Sequence, residues 1–272
     1  MEFLNPIMEA LNKEMTVPTL FGTFHVVSLV LSFVIAVALS IWQNKCKKEH
    51  QRTVLLITTI IVIILEIYKQ FLFAYRASWE YQWYAFPMQF CSTPMYVGLL
   101  AALTKKGKIH ESACSYMVSF SLFAGLAVMI YPASVFMPPI GINIQTMVCH
   151  GSMIFLAIYL MATGYVKIGF KTVLKALPLF VIFLCIAMGI NELAHLSNPE
   201  TAFGMNMFYI SPYMACELPI LNTIQTMVPH WVFLLIYALG FVVVAYVMQL
   251  LAMLVRWIGG LFTKKTPAEQ SV

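Results

Sequence analysis

Residues 45–75 read KCKKEHQRTVLLITTIIVIILEIYKQFLFAY, a basic cluster followed by a long, mostly apolar stretch. An α-helix needs about 20 apolar residues to cross the hydrocarbon core of a bilayer. The stretch 53–75 therefore predicts a transmembrane helix. The same pattern recurs along the chain. It predicts an all-α fold with seven spans, at 21–43, 53–75, 83–104, 112–131, 144–166, 172–195 and 230–255.

The basic residues indicate how these spans are oriented. Thirteen of the 16 Lys and Arg residues fall in alternate connections between the apolar stretches. They are Lys45, Lys47, Lys48 and Arg52, then Lys105, Lys106 and Lys108, then Lys167, Lys171 and Lys175, and finally Arg256, Lys264 and Lys265. Because loops rich in Lys and Arg stay on the cytoplasmic side during insertion, we predict that the N-terminus lies outside and the C-terminus in the cytoplasm.

The composition supports one membrane-embedded bundle without a soluble domain. Of the 272 residues, 61% are hydrophobic and only 10% are charged, whereas soluble domains contain about 25% charged residues. The net charge of +5 suits an anionic inner leaflet and does not indicate nucleic-acid binding. We expect a multi-pass protein of a cell membrane, the bacterial plasma membrane in particular, with membrane lipids as its partners.

Three segments flank or interrupt the predicted bundle. Residues 1–20 carry apolar side chains at helical spacing, which predicts a short amphipathic segment on the outer surface. The connection 196–229 contains no Lys or Arg and is rich in proline and apolar residues. We expect this outer loop to pack over the bundle, as long functional loops often do. Residues 256–272 are predicted to form a cytoplasmic tail.

Polar side chains inside spans are costly, by about 2.5–3.5 kcal/mol at mid-helix, so their depths are informative. At a rise of about 1.5 Å per residue, Cys91 lies roughly 12 Å below the outer boundary, His150 roughly 9 Å and Glu66 roughly 13 Å. Asn191 lies near the outer end of the sixth span. The polar residues thus share the outer half of the bundle, which predicts a polar cavity that opens outward or to the outer leaflet.

Two stripes line this predicted cavity. Glu66 and Lys69 lie on one face of the second span, and Asn143, Thr146 and His150 lie on one face of the fifth, because residues three or four apart are neighbours on a helix. An intrahelical ion pair between Glu66 and Lys69 is equally compatible with the spacing. For the second stripe, hydrogen bonds between helices are an equal alternative.

The segment 85–96, AFPMQFCSTPMY, places Cys91 between two prolines. Because Pro94 cannot donate a backbone hydrogen bond, we expect it to kink the third span one turn past the thiol. A cysteine nucleophile needs an adjacent base or cation, and His150 at matching depth is the natural partner. Gln89 could donate an amide hydrogen bond to an oxyanion. Taken alone, an intramembrane cysteine is more often a small core residue, and a histidine such as His150 more often makes an interhelical hydrogen bond.

The six cysteines include no CxxC pair, and Cys149 points away from His150, so the spacing of ligands favours neither a metal site nor any other cofactor. A disulfide between Cys91 and Cys216 on the outer side is one further possibility, since persistent disulfides need an oxidising compartment.

The motifs PMQFCS, MVCHG and GMNMFYISP resemble those of the YwaF-type integral membrane family, over roughly residues 20–255. That family has a vertebrate relative described as a membrane acyltransferase that remodels phospholipids through a Cys and a His. The resemblance implies that Cys91 forms an acyl-enzyme and that His150 acts as base and then acid. Many relatives are expected to have His where this chain has Gln89.

Two functional interpretations follow. The first is an acyltransferase that acts on lipid acyl esters by a Cys–His mechanism in an outward-facing cavity. The second is a transporter or permease-like protein that uses Glu66, Lys69 and His150 as substrate or proton contacts. The two differ in their dependence on the thiol of Cys91.

Overall fold

The structure is a computed structural model that describes residues 2–46, 50–132, 135–197 and 204–263. These residues form α-helices joined by turns and irregular segments, with one isolated β-bridge between Glu14 and Pro139. The α-helices are α1 (Asn5–Leu11), α2 (Thr23–Cys46), α3 (Gln51–Arg76), α4 (Thr93–Leu103), α5 (Lys108–Tyr116), α6 (Leu122–Ile130), α7 (Ile140–Ala162), α8 (Phe170–Ser197), α9 (Leu221–Met227) and α10 (His230–Thr263).

Six helical segments of the described chain are long and apolar enough to cross a membrane, and each overlaps a predicted span. They are Thr23–Lys45, Gln51–Arg76, Lys108–Ile130, Ile140–Ala162, Phe170–Ser197 and His230–Gly259. The segment Lys108–Ile130 combines α5 and α6 through a π-helical stretch, Met117–Ser121. The prediction of an all-helical, multi-pass membrane protein is therefore confirmed. Parts of the predicted outer loop (198–203) and of the predicted tail (264–272) lie outside the described residues.

The predicted third span, 83–104, is wrong as a continuous helix. Its apolar helix runs only from Phe90 to Leu103, beginning as the 3-10 turn Phe90–Ser92 and continuing as α4. The preceding segment is irregular, with Ser78 and Trp79 at φ of 56° and 69°, and Pro87 disfavours helix at the residue before it. Pro94 sits in the first helical turn, where its missing N–H costs nothing. The expected kink at Pro94 is therefore replaced by the start of a helix.

Hydrogen bonds between helix ends show that α3 and α4 run antiparallel. The Arg52 guanidinium, at the start of α3, donates to the carbonyls of Ala102 and Thr104 at the end of α4. The irregular segment 77–89 therefore spans the distance that a longer fourth helix would have covered. At the opposite end of the bundle, His25 Nε2 lies 2.7 Å from the Met129 carbonyl and ties the start of α2 to the end of α6.

Aromatic rings fill the centre of the bundle beside the start of α4. The ring of Phe90 contacts those of Phe208 and Phe241 at centroid separations of 5.7 and 4.7 Å. The rings of Phe120 and Phe180 stack with their centroids 4.5 Å apart. Such pairs add about 0.5–1.5 kcal/mol each beyond their buried area, so the residue before Cys91 is held by the segment around Phe208 and by α10.

The N-terminal segment is docked on the end of α3. Met8 is buried with Leu72 and Ile142, and the Trp79 indole N–H donates to Asn5 Oδ1 at 2.8 Å. The exposed apolar residues Phe3, Ile7 and Leu11 face away from the bundle. A short amphipathic helix, α1, is therefore present within 1–20, and its place on the outer membrane surface stays a prediction.

Gly125 permits the close packing of α6 on α7 and generates the first testable prediction. A Cβ at this position would lie 2.7 Å from the His150 carbonyl oxygen and 2.9 Å from Met153 Cβ. We expect Gly125→Ala to lower the free energy of unfolding by about 1–3 kcal/mol, which a fall in the thermal midpoint in detergent would report. Gly189→Ala in α8, where nothing lies within 4 Å, is the control. Equal midpoints for both variants would contradict this packing.

Candidate functional site

Cys91 lies in the first turn of the helix Phe90–Leu103, directly after the irregular segment. Its side chain is half-buried and its thiol is free. Backbone N–H groups in the first turn of a helix have no intrahelical acceptors, and a helix N-terminus favours a thiolate. The break before α4 therefore places the cysteine where the backbone stabilises negative charge.

Gln89, the residue before this turn, is bonded to a distant loop. Its Nε2 donates to the Asn206 carbonyl at 2.8 Å, and its Oε1 accepts from the Phe208 N–H at 2.9 Å. A primary amide that donates to one peptide group and accepts from another mimics a backbone pairing. The role predicted for Gln89, a donor to an oxyanion, stays a prediction, and its observed contacts hold residues 206–208 over the start of α4.

Asn191 of α8 makes the same kind of paired contact with the same loop. Its Oδ1 accepts from the Met207 N–H at 2.8 Å and its Nδ2 donates to the Met207 carbonyl at 3.1 Å. The loop needs such support because Phe208 and Tyr209 have φ of 59° and 58°, values that cost about 1–3 kcal/mol each for residues other than glycine. The predicted outer loop is thus packed into the bundle over 204–211.

His150 is buried on α7 with its two ring nitrogens in different environments. Nδ1 lies 2.7 Å from the Thr146 carbonyl, which only accepts hydrogen bonds, so Nδ1 carries the proton. Nε2 is buried and has no hydrogen-bond partner. With the proton on Nδ1, Nε2 is the basic nitrogen of a neutral ring and is unengaged, which is the form that a general base requires.

The other members of the predicted α7 stripe have local contacts. Asn143 Oδ1 accepts from the Met137 N–H at 2.9 Å and its Nδ2 donates to the Met137 carbonyl at 2.7 Å, so its amide closes the turn before α7. Thr146 contributes its carbonyl to His150, and its hydroxyl donates to Gln145 Oε1 at 3.4 Å. Their assignment to a substrate cavity stays a prediction.

Glu66 and Lys69 form the intrahelical ion pair that their spacing allows. Lys69 Nζ lies 2.9 Å from Glu66 Oε1, with side chains 17% and 11% exposed. Gln70 Nε2 donates to the same carboxylate oxygen at 2.6 Å and to the Ala85 carbonyl at 2.8 Å. The pair is therefore joined to the irregular segment before Cys91.

These groups lie within electrostatic reach of one another. The charges of Glu66 and Lys69 act on the thiol of Cys91, and the charge of Lys69 acts on the imidazole of His150. No hydrogen bond joins His150 Nε2 to the sulfur of Cys91, since Nε2 has no partner. The structure thus brings the four residues to one region without a preformed thiol–imidazole pair.

The described cysteines form neither the disulfide considered from the sequence nor part of a metal site. Cys91 and Cys216 are both free, so the disulfide considered from the sequence is absent between these described residues. Across the described ranges, no group of three or more His, Cys, Asp or Glu side chains is arranged to hold a metal ion.

A comparison with protein-family models matches the TMEM164 family over residues 20–257. The chain belongs to the TMEM164 family. No curated protein and no solved structure gives a significant match. The family match covers five of the six long helices, most of the sixth, and the site around Cys91. The resemblance to YwaF-type proteins and to a membrane acyltransferase stays a prediction for this TMEM164-family chain.

Sequence reasoning missed one functional candidate, Tyr237 of α10. Its hydroxyl is buried and has no hydrogen-bond partner, although a buried tyrosine hydroxyl usually finds one. It lies within electrostatic reach of Cys91 and of Tyr116 and Tyr209. Among the many aromatic residues of this chain, no pattern in the sequence distinguishes this hydroxyl from those that face lipid.

The contacts of Gln89 generate the second prediction. Gln89→Ala removes both hydrogen bonds to the loop and leaves the buried Phe208 N–H unpaired, at a cost of about 1–3 kcal/mol. We expect faster hydrogen exchange at residues 206–208 by mass spectrometry. Gln82→Ala, which loses only a local bond to the Glu80 carbonyl, should leave that exchange unchanged. Unaltered protection of 206–208 in Gln89→Ala would refute the assigned role.

Proposed function

We propose that this protein is a lipid acyltransferase of a cell membrane, in which Cys91 is the nucleophile and His150 the general base and acid. The observation that carries the proposal is the state of His150, whose Nδ1–H is fixed on the Thr146 carbonyl while Nε2 is buried and unengaged. The helix N-terminus at Cys91 and the resemblance to a Cys–His membrane acyltransferase support the same assignment.

A topology with seven crossings supports access from the outer leaflet. The contacts of Arg52 with the end of α4 favour a chain that returns to its starting side through the irregular segment 77–89 and α4. The distribution of Lys and Arg then favours an external N-terminus and a cytoplasmic C-terminus. Cys91 would lie near the depth at which glycerol esters meet acyl chains, in the bacterial plasma membrane or an equivalent membrane.

In the first half-reaction, His150 Nε2 takes the thiol proton of Cys91 and the sulfur attacks the carbonyl carbon of a phospholipid ester. A carbon–sulfur bond forms, the ester carbon–oxygen bond breaks, and Nε2–H returns the proton to the departing lysolipid oxygen. The thiol and imidazole, which are not bonded in the free protein, would come together in the substrate complex, as catalytic hydrogen bonds often do.

In the second half-reaction, a lysolipid-like acceptor occupies the place of the first product. Its hydroxyl gives a proton to Nε2 while its oxygen attacks the thioester carbonyl carbon. The carbon–sulfur bond breaks, the acyl group is transferred to the acceptor, and Cys91 regains its proton from Nε2–H. The unpartnered hydroxyl of Tyr237 is available to donate to the oxyanion in both halves.

The third prediction concerns the acyl-enzyme. Incubation of the membrane-embedded protein with a phospholipid carrying a labelled acyl chain should give a hydroxylamine-sensitive adduct. We expect Cys91→Ala to abolish the adduct and His150→Gln to slow its formation about 10²–10⁴-fold. The matched controls are Cys149→Ala, a buried neighbour of His150, and Cys185→Ala, an exposed residue of α8.

Two outcomes would contradict this proposal. An adduct that persists in Cys91→Ala would move the nucleophile elsewhere. If no adduct forms and Glu66→Gln abolishes the uptake of a substrate, the transporter interpretation is favoured.

The fourth prediction tests Tyr237 as an oxyanion donor. Tyr237→Phe removes only the hydroxyl, and we expect the rate of acyl transfer to fall by about 10²–10³-fold, as for loss of one such donor. Tyr246→Phe, on the same helix and packed against Phe170, should retain full activity. A rate for Tyr237→Phe equal to that of Tyr246→Phe would exclude the hydroxyl from the reaction.

A further inference from the structure

A second site lies at the other end of the bundle from Cys91. A cavity of about 500 Å³ opens where α3, α5 and α8 begin, and its lining includes Gln51, His110 and Thr172. Along α3, Gln51 precedes Glu66 by a helical rise of roughly 22 Å. The cavity is therefore separate from the site around Cys91, and its role does not depend on the proposed acyl transfer.

The charged side chains of the cavity are predominantly basic. Lys106, Lys167 and Lys175 line it, with Glu111 as the acidic residue among its lining side chains. Glu111 is paired with Lys175, whose Nζ lies 2.7 Å from Glu111 Oε2. The surplus of positive charge favours an anionic ligand.

Helix termini add to this positive field. The first turns of α3, α5 and α8 all contribute lining residues, and the N-caps of α3 and α5, His50 and Gly107, provide no side-chain cap. Their free N–H groups make anion-binding sites. The C-terminus of α7 also reaches the cavity, but its carbonyls are capped, since Val166 N–H donates to Leu160 and Gly164, at φ 70°, donates to Met161.

Two buried side chains at the cavity have unused hydrogen-bonding capacity. His110 and Gln51 are 5% and 6% exposed, and His110 Nδ1 and Gln51 Oε1 have no partner. A buried group that lacks a partner costs about 1–3 kcal/mol. A phosphate monoester, which offers both acceptor oxygens and a P–OH donor, would satisfy both kinds of group.

An apolar groove adjoins the cavity and suits an acyl chain. It is lined by Ile109, Pro178, Leu179 and Ile182 between α5 and α8, and it shares Glu111 and Lys175 with the cavity. Ile109 and Ile182 are exposed on the surface of the bundle. A polar, basic cavity continuous with an apolar groove matches the two parts of a phospholipid.

We propose that this cavity binds the phosphate headgroup of an anionic phospholipid, with an acyl chain along the groove between α5 and α8. The lysines and the N-termini of α3 and α5 hold the phosphate, and the buried His110 and Gln51 contact the headgroup. The basic cluster predicted to be cytoplasmic places this lipid in the inner leaflet.

The test compares lipid binding by the full chain with native mass spectrometry in detergent. The probes are a phosphatidic-acid lipid and a phosphatidylcholine lipid with identical acyl chains. The double variant Lys167→Gln/Lys175→Gln removes two cavity lysines. The control, Lys45→Gln/Lys171→Gln, removes two exposed lysines that do not line the cavity.

We expect the wild-type protein to bind the anionic lipid tightly and the phosphatidylcholine lipid not at all. The cavity variant should bind the anionic lipid about 30-fold more weakly, at roughly fivefold per lysine. In the control variant the affinity should change by less than about twofold. If both variants lose the same affinity for the anionic lipid, the binding depends only on the overall charge of the protein, and the proposal is overturned. Full competition by glycerol phosphate at the lipid's own concentration would also overturn it, since the ligand would then be a soluble phosphate ester that does not need the groove.

Discussion

Every backbone N–H and C=O group inside a bilayer must find a partner within the protein, and in this chain side-chain amides pair with the backbone of several non-helical segments. Gln89 and Asn191 pair with residues 206–208, and Asn143 pairs with Met137. Gln249 of α10 donates to the Val118 carbonyl in the π-helical stretch and accepts from the Gly169 N–H. The irregular segments depend on these contacts, because a buried peptide group without a partner costs about 1–3 kcal/mol.

The chemistry proposed for the site depends on the same contacts. A continuous helix over 83–104 would bury Cys91 in mid-helix, whereas the irregular entry places it in a first turn with free backbone donors. Gln89 and Gln70 hold that entry from two sides, through the outer loop and through the ion pair of Glu66. His150 is set by its own helix, with Thr146 selecting the protonated nitrogen. A strained loop and a broken span thus set the position of the thiol, while α7 sets the unengaged imidazole.

The sequence predicts the long helices well because hydropathy and length are local properties. The 3.6-residue period also predicts the ion pair of Glu66 with Lys69. It fails at 83–104, where the helix begins only at Phe90, after Pro87, although the composition stays apolar. The contacts of Gln89 are not predictable from local sequence, since Gln89 and Phe208 are separated by 119 positions. The signal that the sequence does offer is the type of side chain, because the amide of Gln or Asn both donates and accepts hydrogen bonds and can therefore pair with a peptide group.

The tautomer of His150 is the property on which the proposed catalysis depends most directly. It can be measured by ¹⁵N solid-state NMR of the histidine-labelled protein in lipid bilayers, with His150→Gln to assign the signal among the six histidines. We predict a neutral ring at neutral pH with the proton on Nδ1 and an unprotonated Nε2. A ring protonated on Nε2, or an imidazolium, would leave no base for the thiol of Cys91 and would contradict the proposed mechanism.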